Sequence, residues 1–497
     1  MKLARTLCFL IFISIMFSIT SYAQEPGSLP YNGYNYNAWN RSVPSPIGYE
    51  PVAHYTGTSI GVGEFANPSD LFVTKNGDIY ISDTDNNRII VMDKNFHLIS
   101  IIDHINGSSE AIQLKAPCGL FVDEQGNIYI AQALRQRVVK IDKNCNYITQ
   151  YTKPVSDLIS DSIQFAPLKV IVNSMGTVFV LVDGLYLGAI MYNQSGKFFG
   201  FYGSNKVEIT LSLLADYMWK KILTQTQINK MSMYVPIQFS NFDIDSQNFI
   251  YTCTQTSQST SNQITKLNAL GYNVLRAQTK NISSSTYEYG DLEKGWFMGQ
   301  SIQTKFVDVC INKDGFIFGL DSTRGRIFEY DQESKLLQIF GESGNQLGAF
   351  KTPVAIGDLG ENILVLDSTK GNITVFAPTE FGSLVNQGVL LYNQGDYENA
   401  KSIWQNVLSY DVNYVLAYGG IGKALFQAGK YNEALEYLKY GFDRQSYSEA
   451  YKEYRTVLIR NYFPYVATVL SALIIFLFIF IKLKKKIVNW QHLISFT

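Results

Sequence analysis

At one recurring position this chain places side chains with chemistry to offer: Asp70, Lys169, Asn241 and Asp308, alongside the inert Gly119 and Ala355. Two carboxylates and an amide supply oxygen ligands for a divalent cation, and the Lys adds charge that would hold a polar ligand. The same groups can instead pair with one another or solvate a water-filled channel. The rest of the inventory argues against catalysis. His54, His97, His104 and His492 are the only histidines, and none stands at that position, so a zinc site built on His is not expected. Cys118, Cys145, Cys253 and Cys310 are too scattered for a disulfide scaffold or a thiolate site, and are expected as buried, reduced thiols. There is no nucleophile motif and no phosphate-cradling Gly loop; Gly61-Val62-Gly63 reads as a turn. No cofactor is expected beyond such a cation.

The position recurs because the chain repeats itself. A phrase of about 26 residues is said twice, 49 apart: Pro68-Ser69-Asp70-Leu71-Phe72-Val73 through Gly77 to Ile79-Tyr80-Ile81, then Pro117-Cys118-Gly119-Leu120-Phe121-Val122 through Gly126 to Ile128-Tyr129-Ile130. Weaker copies open at Pro167, Ser240, Val307 and Pro353. Each unit gives an apolar strand, a Gly turn, an alternating strand and a third strand, a meander lacking its outer edge. A period near 45 to 50 residues predicts the blades of a β-propeller, here six, whose inner strands line a central channel. The last blade has no outer strand of its own, so Pro51–Thr56 is expected to complete it and close the ring.

Ile81-Ser82-Asp83-Thr84-Asp85-Asn86-Asn87-Arg88-Ile89 resembles the signature of NHL repeats, with looser copies at Leu320–Phe328 and Leu366–Ile373. The resemblance covers about residues 50 to 378 and implies an Asp83–Arg88 pair that ties adjacent turns together. Lactonase-type propellers, which are similar, carry metal-binding Asn or Asp just after the blade-opening Pro. Ser69, Cys118, Leu168, Ser240, Val307 and Val354 stand there instead. A metal-dependent lactonase- or lyase-like hydrolase is therefore the alternative function, not the first.

Residues 1–23 have a basic start, an apolar stretch and Ser21-Tyr22-Ala23, as a cleaved secretory signal would. Residues 24–50, rich in Tyr, Asn and Pro, read as an extended strap, and 51–378 as the propeller. Gly388/Gly422, Gly395/Gly429, Tyr397/Tyr431 and Ala400/Ala434 recur at 34 residues, resembling two tetratricopeptide motifs over 381–448. That family's peptide groove would fall on Tyr392, Asn393, Lys423, Phe426 and Gln427; the alternative is a rigid stalk in which these residues pack. A capping helix is expected over 449–461, a transmembrane helix over the uncharged 462–481, and a basic tail over 482–497. Lys482, Lys484, Lys485 and Lys486 outnumber Arg455 and Arg460 on the other side, which places the C-terminus in the cytoplasm. With 41 basic and 42 acidic residues, a net charge of −1 gives no support to nucleic-acid binding.

Two insertions are open to two uses. Leu211, Leu214, Met218 and Ile222 fall at helical spacing, as a rim helix covering a blade edge or docking a partner, and the excursion over 287–297 is similar. The expected fold is an all-β, six-bladed NHL-type propeller, then a tetratricopeptide-like α-helical segment and one membrane helix. The expected function is an outward-facing, membrane-anchored scaffold that engages an envelope protein complex or a carbohydrate. The resemblance to envelope-anchored bacterial proteins of this composition implies a place beside a transporter.

Overall fold

The computed structural model describes residues 29, 31–107, 111–156, 159, 163–203, 238–254, 263–275, 288–293, 295–297 and 300–494. The expected signal segment, 1–23, and the expected rim helix around Leu211 and Met218 lie outside them. The chain forms two compact units, one of residues 1–33 and 49–378, the other of 34–48 and 379–497.

The first unit is a six-bladed β-propeller. Blade 1 is the antiparallel meander Pro68–Val73, Ile79–Asp83, Arg88–Met92, Leu98–Ile102. Blades 2, 3 and 5 repeat it from Gly119, Pro167 and Phe306. Blade 4, from Phe239, has three strands among the described residues. In blade 6 the strands Pro353–Leu359, Asn362–Asp367 and Asn372–Pro378 are completed by Tyr49–Thr56, which pairs antiparallel with the third. The ring thus closes with a strand from the N-terminal side, two residues longer than the sequence pattern suggested.

The local causes are simple. Turns between the first two strands put a left-handed residue where a side chain is costly, and Gly77, Gly126, Gly176 and Gly315 fill it, with φ between 78° and 91°. Blade 4 uses Asn248 instead, at φ 66°. Second strands such as Val178–Val182 are buried at all five positions, because a blade is covered on both faces by its neighbours. The core accordingly runs between blades. Tyr129, Tyr151, Val170, Val180, Phe242 and Ile250 share one apolar cluster across three of them.

The second unit pairs helices. α1 (Glu380–Asn393), α2 (Tyr397–Tyr410), α3 (Val415–Gln427) and α4 (Tyr431–Tyr440) pack in succession. Their crossings need residues without side chains: a Cβ on Gly388 would lie 2.7 Å from the Trp404 ring, and one on Gly422 2.6 Å from Leu438 Cγ. The expected capping helix and apolar segment are not separate elements. Both belong to α5, Arg444–Ile494, which is continuous through Pro464. The strap also departs from expectation: Tyr34–Tyr36 and Ser42–Pro44 form a hairpin, turned by the Asn37 side chain, which accepts from the Trp39 and Arg41 amides. Trp39 meets the Phe442 ring edge-on at 5.2 Å, so this segment folds with the helices.

Candidate functional site

The channel positions are set by a repeated irregularity. In five of the six inner strands the pairing register slips by one residue between the blade-opening residue and the channel residue: Pro68/Asp70, Pro167/Lys169, Phe239/Asn241, Phe306/Asp308 and Pro353/Ala355. Such a bulge re-aims the residues beside it. The side chain just before that position reaches the next blade's backbone, in blade 2 without a slip: Ser69 Oγ donates to the Cys118 carbonyl at 3.0 Å, Cys118 Sγ to Pro167 at 3.1 Å and Ser240 Oγ to Phe306 at 2.8 Å. These are the positions where the lactonase-type resemblance would imply Asn or Asp.

The next residue does the converse, accepting from the following blade. Asp70 Oδ2 takes the Leu120 amide at 2.6 Å, and Asp308 Oδ2 the Ile356 amide at 2.8 Å. Their other oxygens accept from the amides of Leu71 and Val309, and Asn241 Oδ1 accepts from Phe242. Lys169 of blade 3 reaches Asp70 of blade 1, its Nζ 2.6 and 2.8 Å from the two oxygens. Asp70, Lys169 and Asp308 are all buried. Burial pulls the Lys169 ammonium down, but Asp70, Asp308 and Asp243 outweigh it and its net shift is upward. The Lys169 ammonium is thus seated on both Asp70 oxygens. Among the described residues no three or more His, Cys, Asp or Glu converge as metal ligands.

Sequence reasoning missed two members of this network. Asp243, two residues beyond Asn241 and so on the same strand face, accepts from Ile311 in the next blade at 3.0 Å. Asp358 lies 3.8 Å from the Cys310 thiol, which burial pushes well up; burial likewise pushes Cys118 up to about 11. Alternation after a recognised channel residue was the signal that could have found Asp243.

These acids give the fold a pH dependence. Burial pushes the Asp308 carboxyl up to about 7, and that of Asp243 up to about 6, against their amide donors and Lys169. The folded values lie above the unfolded one, near 3.9. Their contribution is therefore whole below about pH 4 and is lost as pH rises through 6 to 7. We expect the detergent-solubilised protein to be more stable at pH 5.5 than at pH 8, with Asp308 supplying roughly 2 kcal/mol of the difference. Asp308→Asn should flatten the profile in thermal melts. A wild-type melting temperature that rises over that interval would contradict this assignment.

The loops bearing the Asp and Arg pattern are structural. Buried Asp83 accepts from Arg88 Nε at 2.7 Å, Asn86 at 2.8 Å and the Ala66 amide at 2.7 Å. Asp367 takes the Lys351, Thr352 and Lys370 amides. Blade 5 differs: Asp321 accepts from backbone amides, while Arg324 and Arg326 both bind Asp291, at 3.0 and 2.7 Å. The excursion before blade 5 thus supplies a clamp.

In the helical unit, Tyr392 packs on Tyr397 and Phe426 on Tyr431, with ring centres 5.6 and 5.7 Å apart. Lys423 Nζ lies 6.0 Å from the Tyr392 ring centre and 3.9 Å from Asp443. Asn393 and Gln427 are exposed. Tyr392 and Lys423 are thus brought together, while Phe426 leans on its own hairpin.

Residues 65–92 match the NHL repeat family model. No curated protein matches the chain. Among solved structures, the chain is similar to a catalytically inactive virginiamycin B lyase from Staphylococcus aureus with quinupristin, at 11% identity and a TM-score of 0.38, covering 63% of this chain and 80% of that one. It is also similar to a protein of unknown function from Bacteroides thetaiotaomicron, at 10% identity and a TM-score of 0.41, with 67% and 73% covered. A third likeness, to a protein of unknown function from Bacteroides caccae, has 11% identity and a TM-score of 0.36, with 67% and 97% covered.

Proposed function

We propose that this chain is a membrane-anchored binding protein, with the propeller and helical hairpins outside the membrane and the C-terminal end in the cytoplasm. The observation that carries it is α5. Arg444–Lys485 is long and apolar enough to cross a bilayer, and none of its most apolar stretch is buried by the rest of the chain. At 1.5 Å per residue, about 20 uncharged residues span roughly 30 Å of hydrocarbon. Tyr462, Phe463 and Tyr465 at one end suit the interface, and the Lys run at the other suits the cytoplasmic face. A binding role is supported by the propeller fold and its NHL repeat. The helical hairpins act as a tetratricopeptide-like adaptor, with the exposed Asn393 and Gln427 and the Tyr392–Lys423 pair on the surface offered to a protein partner; Phe426 supports that surface from its own hairpin.

Protease added to intact cells is expected to digest the propeller and leave a small protected C-terminal fragment. A propeller that resists digestion in sealed cells but not in lysed ones would overturn the orientation.

A further inference from the structure

One charge in the propeller lacks the partner its counterparts have. In blade 1 the second strand ends in Asp83, which neutralises Arg88 at 2.7 Å. In blade 2 the equivalent residue is Gln132, opposite Arg137 in the strand register. Gln132 Oε1 accepts from Arg137 Nε at 2.9 Å, and Gln150 Oε1 from Nη1 at 3.1 Å. Neither is a charge. Arg137 Nη2 and the Nε2 of fully buried Gln132 are left with no hydrogen-bond partner. Unmet buried donors of this kind are costly and call for an acceptor.

A pocket of about 430 Å³ opens beside Arg137, lined by Lys115, Leu134, Arg135, Arg137, Gln150 and Thr152; the unmet Gln132 and Arg137 atoms themselves lie buried behind it. Its three cations come from one helical turn, one strand and the segment before the blade. Among the described residues none of them forms an ion pair. Burial and the neighbouring Arg135 charge both pull the Arg137 guanidinium downward. Three positive groups lining one open surface depression attract an anion, and an Arg fork suits an oxyanion best.

We propose that this pocket binds a small ligand through an oxyanion: a carboxylate, phosphate or sulfate held between Lys115, Arg135 and Arg137. Gln132 is what makes the site, because an Asp there would neutralise Arg137 from behind. Such a ligand presupposes the binding role proposed above and gives it a charge.

The test uses the full chain in detergent, melted in sodium sulfate, sodium phosphate or sodium glucuronate against sodium chloride of equal ionic strength. An occupied site should raise the melting temperature by about 2–4 °C at saturation. A larger shift with glucuronate assigns an acidic sugar; equal shifts assign the bare oxyanion. Q132D rebuilds the pairing of blade 1, so it should melt higher without anion and lose the anion-dependent shift. Arg135→Gln, an exposed change, should lose the shift without that gain. No shift with any of the three anions in the wild type, or a shift kept in both variants, overturns the site. Neither result bears on membrane orientation, which the protease experiment decides separately.

Discussion

Removing the Asp70 side chain, as Asp70→Ala, is expected to cost about 3–5 kcal/mol of stability, because it strands a buried ammonium. Asp70 takes the Leu120 amide of the next blade at 2.6 Å and the Lys169 Nζ of the blade beyond at 2.6 and 2.8 Å. One carboxylate therefore links three blades. Lys169 is only 8% exposed, so without Asp70 its charge has little access to water. Replacing both residues with apolar ones, as Asp70→Leu with Lys169→Met, removes the charge along with its partner and should recover most of the loss. Chemical denaturation of the four proteins of that cycle gives the coupling directly. The cation reading makes a different demand: Asp70→Ala would then matter chiefly in the presence of metal, and millimolar Ca²⁺ would raise the wild-type melting temperature. We expect no such rise. A mild loss in Asp70→Ala, or losses that simply add in the double variant, would remove the pair from the ring's structural core.

Much of this architecture could be read from the residues. The repeat at Pro68 and Pro117 fixed the blade, its length fixed the ring, and the unpaired edge of blade 6 pointed to the strand that closes it. The equivalence of Asp70, Lys169, Asn241 and Asp308 could be read for the same reason, since each stands just past the register slip that opens its blade. Purpose was harder. Asp70 and Asp308 were legible as residues at equivalent inner-strand positions, but residue types alone cannot say whether a carboxylate meets a cation, an amide or an ammonium. That depends on how far each strand is displaced past the next, which the bulge after the opening residue decides. Asp291 was out of reach altogether: it comes from an excursion of irregular length, and its two Arg partners sit in the next blade. The continuity of the capping helix with the apolar segment was not legible for a different reason. Charge pattern marks where a helix meets a membrane, but backbone hydrogen bonding continues across that mark, and α5 does not stop there.

Gly119 shows why one channel position carries no chemistry at all, and Gly119→Val should cost about 3 kcal/mol or more, or prevent folding. A Cβ built on this residue would lie 2.3 Å from the Leu168 carbonyl oxygen, 2.8 Å from Lys169 Cα and 3.0 Å from the Leu168 carbonyl carbon. All three are backbone atoms of blade 3, so no side chain can rotate away and the inner strands must part. Overpacking that side chains can absorb costs about 1–3 kcal/mol; here the strain falls on the backbone that carries Lys169, and hence on its bond to Asp70. Gly119→Ala should share most of the effect, since the first added carbon already collides. Gly126 supplies the control. It turns blade 2 at φ 80°, with its nearest neighbour 4.0 Å from an added Cβ, so Gly126→Ala pays only for backbone conformation, roughly 1 kcal/mol. Denaturation midpoints of the two Ala variants separate close approach from chain flexibility. If Gly119→Ala were no worse than Gly126→Ala, blades 2 and 3 would not meet this closely, and Gly119 would be an unfilled ligand position rather than a contact that only glycine permits.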